Sequence, residues 1–592
     1  MSKTQTYEAQ ISKDKYNAGA WSALLKVTMD TGTEDEVRAV FDRFLAIYPS
    51  SGAHWKMYAE YEFKREHREH VVNIFNRCLT TVLSVDLYQF YLDYIFAMNT
   101  VSSGLVISTE AQDTIVQALE FVLNRVGIDK DAGPIWTKYI EFLKSREPRS
   151  QMDEQWKIDN LRKTFQRAIV IPTNHLEQIW KEYDMFENNL NRFTAKKFLS
   201  EKSPAYMTAR TAYREMRGIF DSMENYRPPF NLPAPPKWSN KENNYVGWRK
   251  YIEWEHGNPL RLETPELNQR VNVAYKQALA ALRFYPEIWV EAAQQFVKTD
   301  NPQKAVELLK EAVDVLPHSS LVHFVYAEQL EVQKNIPEMR TVYTNLVGAL
   351  TTQLDNLSAR KEKALATIKE RITALTNESA ADLLNSRSAS GAVDVAAQKR
   401  AVARLIDQRS KLIEARFKSR MGPLQRELTL AVTIYTRAVR RSEGTVPFRR
   451  LFTRLRKIPY VTYHLLVSTA LIEYYFEKDM TMAGNVFEVG LKHFGSESDF
   501  IIQYLDHLIR INDNVNAQAL FERAVSNLPV DQAKDIWDMY LNYQVNYGDI
   551  QATLSLETRY LAAYPEETLR NRLMERFSFL DLDTVAERDF GV

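Results

Sequence analysis

The histidines and the single cysteine are the side chains that could hold a metal ion or attack a substrate. His67 and His70 form the closest histidine pair, with His54 a little earlier in the chain. Two imidazoles at this helical spacing could share a metal ion, but no third ligand stands beside them, so we interpret them as polar surface residues. Cys78 occupies a small-residue position in an amphipathic stretch, which predicts a buried packing residue rather than a nucleophile.

Short motifs for phosphate binding and covalent catalysis are missing from the sequence. Neither a Walker A loop nor G-x-G-x-x-G is present, and G-x-S-x-G is absent as well. Glu62, Glu187 and Glu255 recur at one position of similar segments, as a role in hydrogen bonds between helices would require. One cysteine excludes an internal disulfide, an iron–sulfur cluster and any zinc site that needs two thiolates. We therefore predict no catalytic, cofactor-binding or metal-binding residue, and no enzyme.

Positive charge is concentrated between residues 351 and 460, which hold 23 basic and 10 acidic side chains in a chain that carries 76 of each. Such a cluster on one face could bind a phosphate backbone or an acidic partner segment. It could also be a solvated face that acids on neighbouring helices balance, and a nuclear-localisation signal is a further alternative. The candidate partner or RNA surface is the densest part of this run: Arg437, Arg440, Arg441, Arg449, Arg450, Arg454, Arg456 and Lys457.

Aromatic residues at helical spacing indicate the elements that carry these side chains. Five eight-residue segments align without gaps, and in each an aromatic residue follows a tryptophan by three positions and another follows by six. These positions lie on one face of a helix, so we predict that they pack a core and do not form a platform for stacking bases. The repeated aromatics are Trp55 and Tyr58, Trp136 and Tyr139, Trp180 and Tyr183, Trp248 and Tyr251, and Trp537 and Tyr540.

A second amphipathic stretch follows each aromatic segment, so that the sequence predicts repeated pairs of helices. Trp21 and Trp55 are 34 residues apart, the period of a paired-helix repeat, and prolines often close the second stretch. We count about twelve units, five before residue 205 and seven between residues 245 and 567. One helix pair cannot bury its aromatic face alone, so neighbouring pairs must stack. The predicted fold class is therefore all-α, a solenoid or α-α superhelix of helix pairs in two arms.

The residues after the tryptophan indicate the type of repeat. A tetratricopeptide repeat places leucine and glycine there, whereas these segments hold tyrosine and then alanine, isoleucine, aspartate or leucine, and no glycine. The pattern instead resembles the half-a-tetratricopeptide (HAT) repeat, whose known carriers belong almost wholly to RNA-processing assemblies. The resemblance implies about twelve HAT repeats.

Changes in composition divide the predicted solenoid into segments. Five prolines between Pro228 and Pro236 favour an extended linker between the arms. Apolar residues at helical spacing on a charged background predict a helical hairpin, with a mobile tip at residues 378–395, inserted between two repeats. The predicted divisions are an N-terminal arm with five repeats and a bridging helix (1–224), a proline-rich linker (225–247), a C-terminal arm with seven repeats (248–567) that contains the charged insertion (351–427), and a C-terminal tail (568–592).

Segments that the repeat does not require are similar to one family. Residues 248–261 are WRKYIEWEHGNPLR, followed by RVNVAY at 270–275 and PEIWVEAA at 286–293. They resemble the start of the C-terminal arm in the suppressor-of-forked family, which contains the large scaffold subunit of cleavage stimulation factor. The stretch from Asn258 to Arg261 is the most specific part, because repeat geometry does not demand it.

This resemblance implies a nuclear, non-catalytic scaffold for cleavage and polyadenylation at pre-mRNA 3′ ends. In the family the C-terminal arm forms a homodimer, a segment after the repeats binds the RNA-binding subunit of cleavage stimulation factor, and the arms contact the cleavage and polyadenylation specificity factor. Contact with pre-mRNA would then be indirect. Since the chain ends about 27 residues after Pro565, we expect the family's docking tail to be absent or truncated. The insertion could also modify the dimer interface.

Two other functions stay open on the sequence. A spliceosomal HAT scaffold of the crooked-neck type would have other partners, but its repeats are more uniform and lack the context around Asn258. Direct RNA binding by the basic run from Arg437 to Lys457 is the second alternative. The N-terminus carries no signal-peptide core and no run of about 18 apolar residues occurs, so we expect no membrane span and a reducing compartment.

Overall fold

The computed structural model describes residues 3–100, 108–148, 150–223, 232–236, 243–385, 395–577 and 587–589. No strand occurs within these ranges, and helices dominate them, which confirms the all-α prediction. Contacts divide the chain into two compact units, residues 1–322 and residues 323–592. In the part of the chain that the structure describes, no helix is both long and apolar enough to cross a membrane.

The first unit is built from helix pairs that follow one another along the chain. After α1, helix α2 packs on α3, and this alternation continues to α14 and α15, which gives seven pairs. The helices are α1 (Lys3–Lys13), α2 (Ala18–Thr31), α3 (Glu34–Ile47), α4 (Gly52–Lys64), α5 (Arg68–Cys78), α6 (Val85–Asn99), α7 (Thr109–Val126), α8 (Gly133–Ser145), α9 (Gln151–Ala168), α10 (Leu176–Leu190), α11 (Arg192–Asp221), α12 (Asn243–His256), α13 (Thr264–Ala281), α14 (Pro286–Lys298) and α15 (Pro302–Val315).

The second unit contains five more pairs, from α16 with α17 to α24 with α25. The described residues therefore hold twelve helix pairs, the number that the repeat pattern predicts. Its elements are α16 (Ser320–Val332), which begins just before the unit boundary, α17 (Ile336–Asn385), α18 (Val395–Glu443), α19 (Thr445–Leu455), α20 (His464–Ile472), a π-helical turn (Glu473–Glu477), α21 (Met480–Phe494), α22 (Ser498–Arg510), α23 (Asn514–Asn527), α24 (Val530–Tyr547), α25 (Ile550–Ala563) and α26 (Leu569–Arg576).

A single left-handed residue forms the turn inside several pairs. Glu66, Asp300, Lys334 and Asn512 have φ between 56° and 62° and stand just after the first helix of their pair. The amide after Glu66 donates to the carbonyl oxygen of Glu62 at 3.1 Å, and the amides after the other three residues make the equivalent bond. This bond is the 6→1 bond of a Schellman cap, so the same turn ends the first helix and starts the second in each of these repeats.

Helices α17 and α18 pack on each other as a long helical hairpin in the described part of residues 351–427, and its status as an insertion between two repeats stays a prediction. Helix α17 begins in a repeat and continues without a break into the first arm of the hairpin. Helix α18 forms the second arm and continues without a break into the next repeat. Its base is apolar: Leu354 on α17 and Leu428 on α18 are fully buried, and the rings of Tyr343 and Tyr435 stack with centroids 5.0 Å apart. Of the predicted tip, residues 378–385 belong to α17, whereas residues 386–394 lie outside the described residues.

The other predicted segments are described in part. Helix α11 contains the predicted bridging stretch up to residue 221. Within the predicted linker, residues 225–231 and 237–242 lie outside the described residues, and α12 already begins at residue 243. Within the predicted tail, α26 and residues 587–589 are described. The division of the solenoid into two arms stays a prediction.

Candidate interaction surfaces

The repeated aromatic residues lie inside the repeats. At two of the boundaries a phenylalanine from one pair stacks on the tyrosine of the next: the ring centroids of Phe41 and Tyr58 are 4.7 Å apart, and those of Phe521 and Tyr540 are 4.2 Å apart. Trp180 is half-buried, and its ring stacks on Tyr206 at 4.3 Å. The buried members are Trp55, Tyr58, Trp136, Tyr139, Tyr183, Trp248, Tyr251, Trp537 and Tyr540.

The arginine that follows the aromatic residue of a second helix joins two repeats. The guanidinium of Arg77 lies 5.2 Å from the ring centre of Trp55, and its Nη1 donates to Asp42 of the preceding pair at 2.8 Å. A cation over an aromatic face and an exposed ion pair each contribute modestly, so their weight comes from repetition along the chain. The equivalent groups are Arg43 with Trp21 and Glu8, Arg167 with Trp136 and Glu120, and Arg559 with Trp537 and Glu522.

The three recurring glutamates are buried, and an arginine of a neighbouring helix holds each of them. Glu62 accepts hydrogen bonds from Nε and Nη2 of Arg38 at 2.8 and 3.0 Å. Burial acts to raise the pKa of the Glu62 carboxyl, but hydrogen bonds from Arg38 and His67 outweigh it and hold the pKa below its usual value. The equivalent pairs are Glu187 with Arg162 at 2.7 and 3.0 Å and Glu255 with Arg270 at 2.6 and 3.0 Å.

A fourth pair of this kind was not predicted from the sequence. Glu473, at the start of the π-helical turn, is buried and accepts hydrogen bonds from Arg449 at 2.6 and 2.8 Å. Glu473 follows the aliphatic Ile472, whereas each of the other three glutamates directly follows an aromatic residue, so the repeat pattern did not single it out. All four carboxylates are fully engaged by arginine, so they stabilise contacts between helices and have no vacant side for a ligand.

The histidines and the cysteine are likewise held by local contacts. The Nδ1 atom of His67 lies 2.9 Å from Glu62, and the rings of His67 and His70 are 6.0 Å apart. His54 is buried, and burial lowers its pKa to about 4. Burial raises the pKa of the Cys78 thiol to about 12, so the thiol stays protonated at neutral pH and does not act as a nucleophile. Among the described residues, no three His, Cys, Asp or Glu side chains are grouped to hold a metal ion.

Four of the eight residues in the predicted basic surface are engaged by groups of the second unit. Their partners include carboxylates on α16, on the π-helical turn and just beyond it. They are Arg437 with Ser468 at 3.0 Å, Arg440 with Glu477 at 3.3 Å, Arg441 with Glu331 at 2.7 Å, and Arg449 with Glu473 at 2.6 Å and Asp479 at 3.1 Å.

The other four residues of the predicted basic surface remain open to solvent. Arg450, Arg454, Arg456 and Lys457 are exposed, and none forms an ion pair with a residue that the structure describes. The structure therefore divides the predicted run into a paired half and an open half on α19 and just after it. A role for these residues in binding stays a prediction.

An apolar groove lies beside the paired arginines. It runs along α18, α20 and the π-helical turn, where Leu430, Tyr475 and Phe476 are between 50% and 64% exposed. Leu471 lines its floor, and the guanidinium of Arg440 lies 3.9 Å from the ring centre of Phe476. Large apolar side chains grouped on a surface are typical of a protein-binding site. We call Leu430, Leu471, Tyr475 and Phe476 the apolar face.

The family model for the suppressor of forked protein matches residues 2–590, nearly the entire chain. The chain belongs to the suppressor of forked family. This confirms the resemblance that the segments at 248–261, 270–275 and 286–293 indicated.

Relatives in this family carry names from one process. The chain is 37% identical over 516 residues to an mRNA 3′-end-processing protein RNA14 of Cryptococcus neoformans, covering 87% of this chain and 48% of that protein. It is 31% identical to rna14 of Schizosaccharomyces pombe, with 98% and 73% covered, and 30% identical to cleavage stimulation factor subunit 77 of Arabidopsis thaliana, with 96% and 67% covered. The chain thus spans about half the length of the fungal relative from Cryptococcus.

A solved structure supports the fold. A crystal structure of CstF-77 superposes with a TM-score of 0.53 at 18% sequence identity, covering 90% of this chain and 97% of that one. At this identity the likeness establishes the HAT-repeat superhelix and not the activity. The predicted HAT-repeat fold is confirmed.

Proposed function

We propose that the chain is a non-catalytic scaffold of the nuclear machinery that cleaves and polyadenylates pre-mRNA 3′ ends. The observation that carries this proposal is the family match over residues 2–590, together with relatives named for mRNA 3′-end processing. The geometry is consistent with it, since the repeated aromatics, arginines and glutamates of the described residues are engaged in packing. A solenoid of this kind would offer extended surfaces on which partners are held by many weak contacts.

The proposed partners are those of the family. We propose that the chain binds the RNA-binding subunit of cleavage stimulation factor and the cleavage and polyadenylation specificity factor, with pre-mRNA contacted mainly through them. Binding assays with the purified chain and each purified partner test this directly. The proposal expects both to co-elute with the chain in gel filtration. Co-elution with a spliceosomal core instead, and with neither of these two, would favour the crooked-neck alternative.

A homodimer formed through the C-terminal arm is part of the same proposal. The apolar face supports it, because Tyr475 and Phe476 expose large side chains that a second copy could cover. Light scattering of the full chain should give twice the monomer mass over a wide range of concentration. The double variant Tyr475→Ser with Phe476→Ser should weaken the dimer at least tenfold, whereas Met152→Ser, at an exposed apolar residue of the first unit, should not. A full chain that is monomeric at every concentration contradicts this part.

A further inference from the structure

The hairpin carries an open row of positive charge on the part of α18 that returns to the repeats. We call residues 400–426 the return arm; at 1.5 Å per residue it is about 40 Å long. It holds eight basic side chains and two acidic ones, and all eight basic side chains are exposed. They are Arg400, Arg404, Arg409, Lys411, Arg416, Lys418, Arg420 and Arg426.

Almost none of this charge is balanced locally. Lys411 pairs with Asp407 at 2.8 Å, but none of the six arginines forms an ion pair with a described residue. Several other arginines of the second unit are held by carboxylates, as Arg340 is by Glu443 at 2.5 Å. The return arm is therefore a place where the protein leaves its own charge uncompensated, which attracts an anionic partner.

The positions of these residues on α18 define the surface. Half-buried Ile406, Ile413 and Phe417 lie on the face towards the hairpin interior. Residues at seven-residue spacing lie two turns apart on one side of a helix, so Arg404, Lys411 and Lys418 form a row with steps of about 10 Å. Arg400 continues this row, whereas Arg409, Arg416 and Arg420 lie together on another flank of the helix. One basic row thus runs along the outer side of the return arm and a second runs along one of its flanks.

The open half of the basic run lies near the base of the hairpin. The hydroxyl of Tyr460 donates to Oδ1 of Asp355, at the base of the hairpin, with a distance of 2.8 Å. This contact places the segment just after Arg456 and Lys457 against the start of the hairpin. Positive charge is therefore also present at the base of the hairpin.

We propose that the return arm binds the phosphate backbone of RNA without reading its sequence. The arm is dominated by arginine, whose planar fork matches the oxygens of a phosphate. A long row of cations suits a linear polyanion better than a compact protein, whose interface needs an apolar core larger than the exposed Leu405 and Leu412 provide. No exposed aromatic side chain occurs among the described residues of the arm, so bases have no ring on which to stack. This activity goes beyond the proposed scaffold, in which RNA contact is indirect.

RNA affinity of the purified full chain, measured without any partner, tests the inference. The ligand is a fluorescein-labelled 30-nucleotide RNA of mixed sequence, and binding is followed by anisotropy between 50 and 300 mM KCl. The hairpin variant combines Arg404→Gln, Arg416→Gln, Lys418→Gln and Arg420→Gln, which keeps helix propensity while removing four charges. The control variant combines Lys163→Gln, Arg192→Gln, Lys196→Gln and Lys197→Gln, which are equally exposed residues without ion pairs in the first unit.

The hairpin variant should bind RNA at least tenfold more weakly at 100 mM KCl. Its plot of log affinity against log salt should be less steep by about 3, since each lost contact to a single strand removes about 0.7 from the slope. The control variant should bind like the original chain. A charge-keeping variant, Arg404→Lys with Arg416→Lys and Arg420→Lys, should retain affinity within about threefold, which separates lost charge from lost folding.

Equal RNA affinity of the hairpin and control variants would overturn the inference. A labelled 30-residue poly-glutamate peptide is the second ligand. If the original chain binds this peptide more tightly than RNA at the same salt, and only the hairpin variant loses the peptide, then the arm recognises an acidic protein and the RNA inference is wrong. Either result leaves the scaffold proposal standing, because that proposal rests on binding of the two processing factors.

Discussion

Arg270 and Glu255 illustrate what a single residue contributes in these repeats. Both are almost completely buried, and two hydrogen bonds join them across α12 and α13. Burial acts to lower the pKa of Arg270, but the neighbouring Glu255 carboxylate outweighs it and keeps the guanidinium charged. Removing one partner therefore leaves a buried charge with no counterion, which is far costlier than the pair is stabilising.

Glu255→Gln should lower the free energy of unfolding of the first unit by about 3–5 kcal/mol, because Arg270 stays charged and loses its counterion. The matched control is Glu8→Gln, which breaks the exposed pair with Arg43 and should cost no more than about 1 kcal/mol. Urea titration followed by circular dichroism measures both. Equal midpoints for the two variants would show that the buried pair has no structural role.

His54 should make the first unit sensitive to mild acid. Its folded-state pKa is lowered to about 4 by burial, whereas the unfolded chain takes up the proton near 6.5. The unfolded state therefore binds more protons between these values, so the stability that neutral His54 contributes is complete above pH 6.5 and is lost as the pH falls towards 4. The loss is on the order of 3 kcal/mol.

Melting temperatures at pH 7 and pH 5 check this expectation. The original chain should melt at a clearly lower temperature at pH 5, and His54→Gln should reduce that difference. His70→Gln, at the neighbouring and exposed histidine, is the control and should leave it unchanged. If His54→Gln retains the full difference, then another group is responsible for the acid sensitivity.

Some residue-level features could be predicted and others could not. The recurrence of Glu62, Glu187 and Glu255 indicated hydrogen bonds between helices, because their spacing from the tryptophan is constant. Their arginine partners could not be assigned, since Arg38 lies on the helix before its glutamate and Arg270 on the helix after it. The sequence also could not show which residues of the basic run are paired and which are open. The pairing of Arg441 with Glu331, for example, depends on packing between residues 110 positions apart.

At the scale of elements, the hairpin is an appendage of the second unit rather than part of its core. Buried side chains extend along α17 to Leu354 and resume on α18 at Met421. Between these residues, none of the described side chains is buried. The hairpin arms therefore pack on each other, and the repeats do not depend on them.

Replacing residues 359–417 by a short Gly-Ser loop should leave the second unit folded. The excised protein should remain soluble and lose only the helical signal of the removed residues in circular dichroism, with its melting temperature lowered by a few degrees at most. Leu354→Asp is the contrasting variant, because it places a charge in the buried base of the hairpin and should lower the melting temperature strongly. Aggregation of the excised protein would contradict this view of the hairpin.

The sequence predicted the existence of the hairpin but not its continuity with the repeats. Apolar spacing from Leu354 onwards indicated a helix, yet nothing in the sequence marks where α17 leaves its repeat, because no helix-breaking residue stands there. The twelve pairs were predictable because their sequence signal is strong: tryptophan and tyrosine recur at fixed positions. The Schellman turns are harder to predict, because residues as different as Glu66 and Lys334 adopt the left-handed conformation.

At the scale of the whole molecule, both compact units use the same packing arrangement. Pairs of helices bury aromatic rings between neighbours, and buried Arg–Glu pairs recur in both units, as Arg162–Glu187 and Arg449–Glu473 show. With the repeat signature engaged in this way, the apolar face and the return arm are two surfaces that the described residues leave open. Family membership then assigns the proposed process, which repeat geometry alone could not distinguish from splicing.

The measurement that tests the central claim most directly is cleavage of a pre-mRNA in nuclear extract. The extract comes from the organism of the chain and is depleted of its suppressor-of-forked-family subunit, and a labelled transcript with a polyadenylation site is the substrate. Adding the purified chain should restore cleavage at that site and leave splicing of a separate transcript unchanged. Restored splicing in an extract depleted of the crooked-neck scaffold, with no recovery of 3′-end cleavage, would contradict the account.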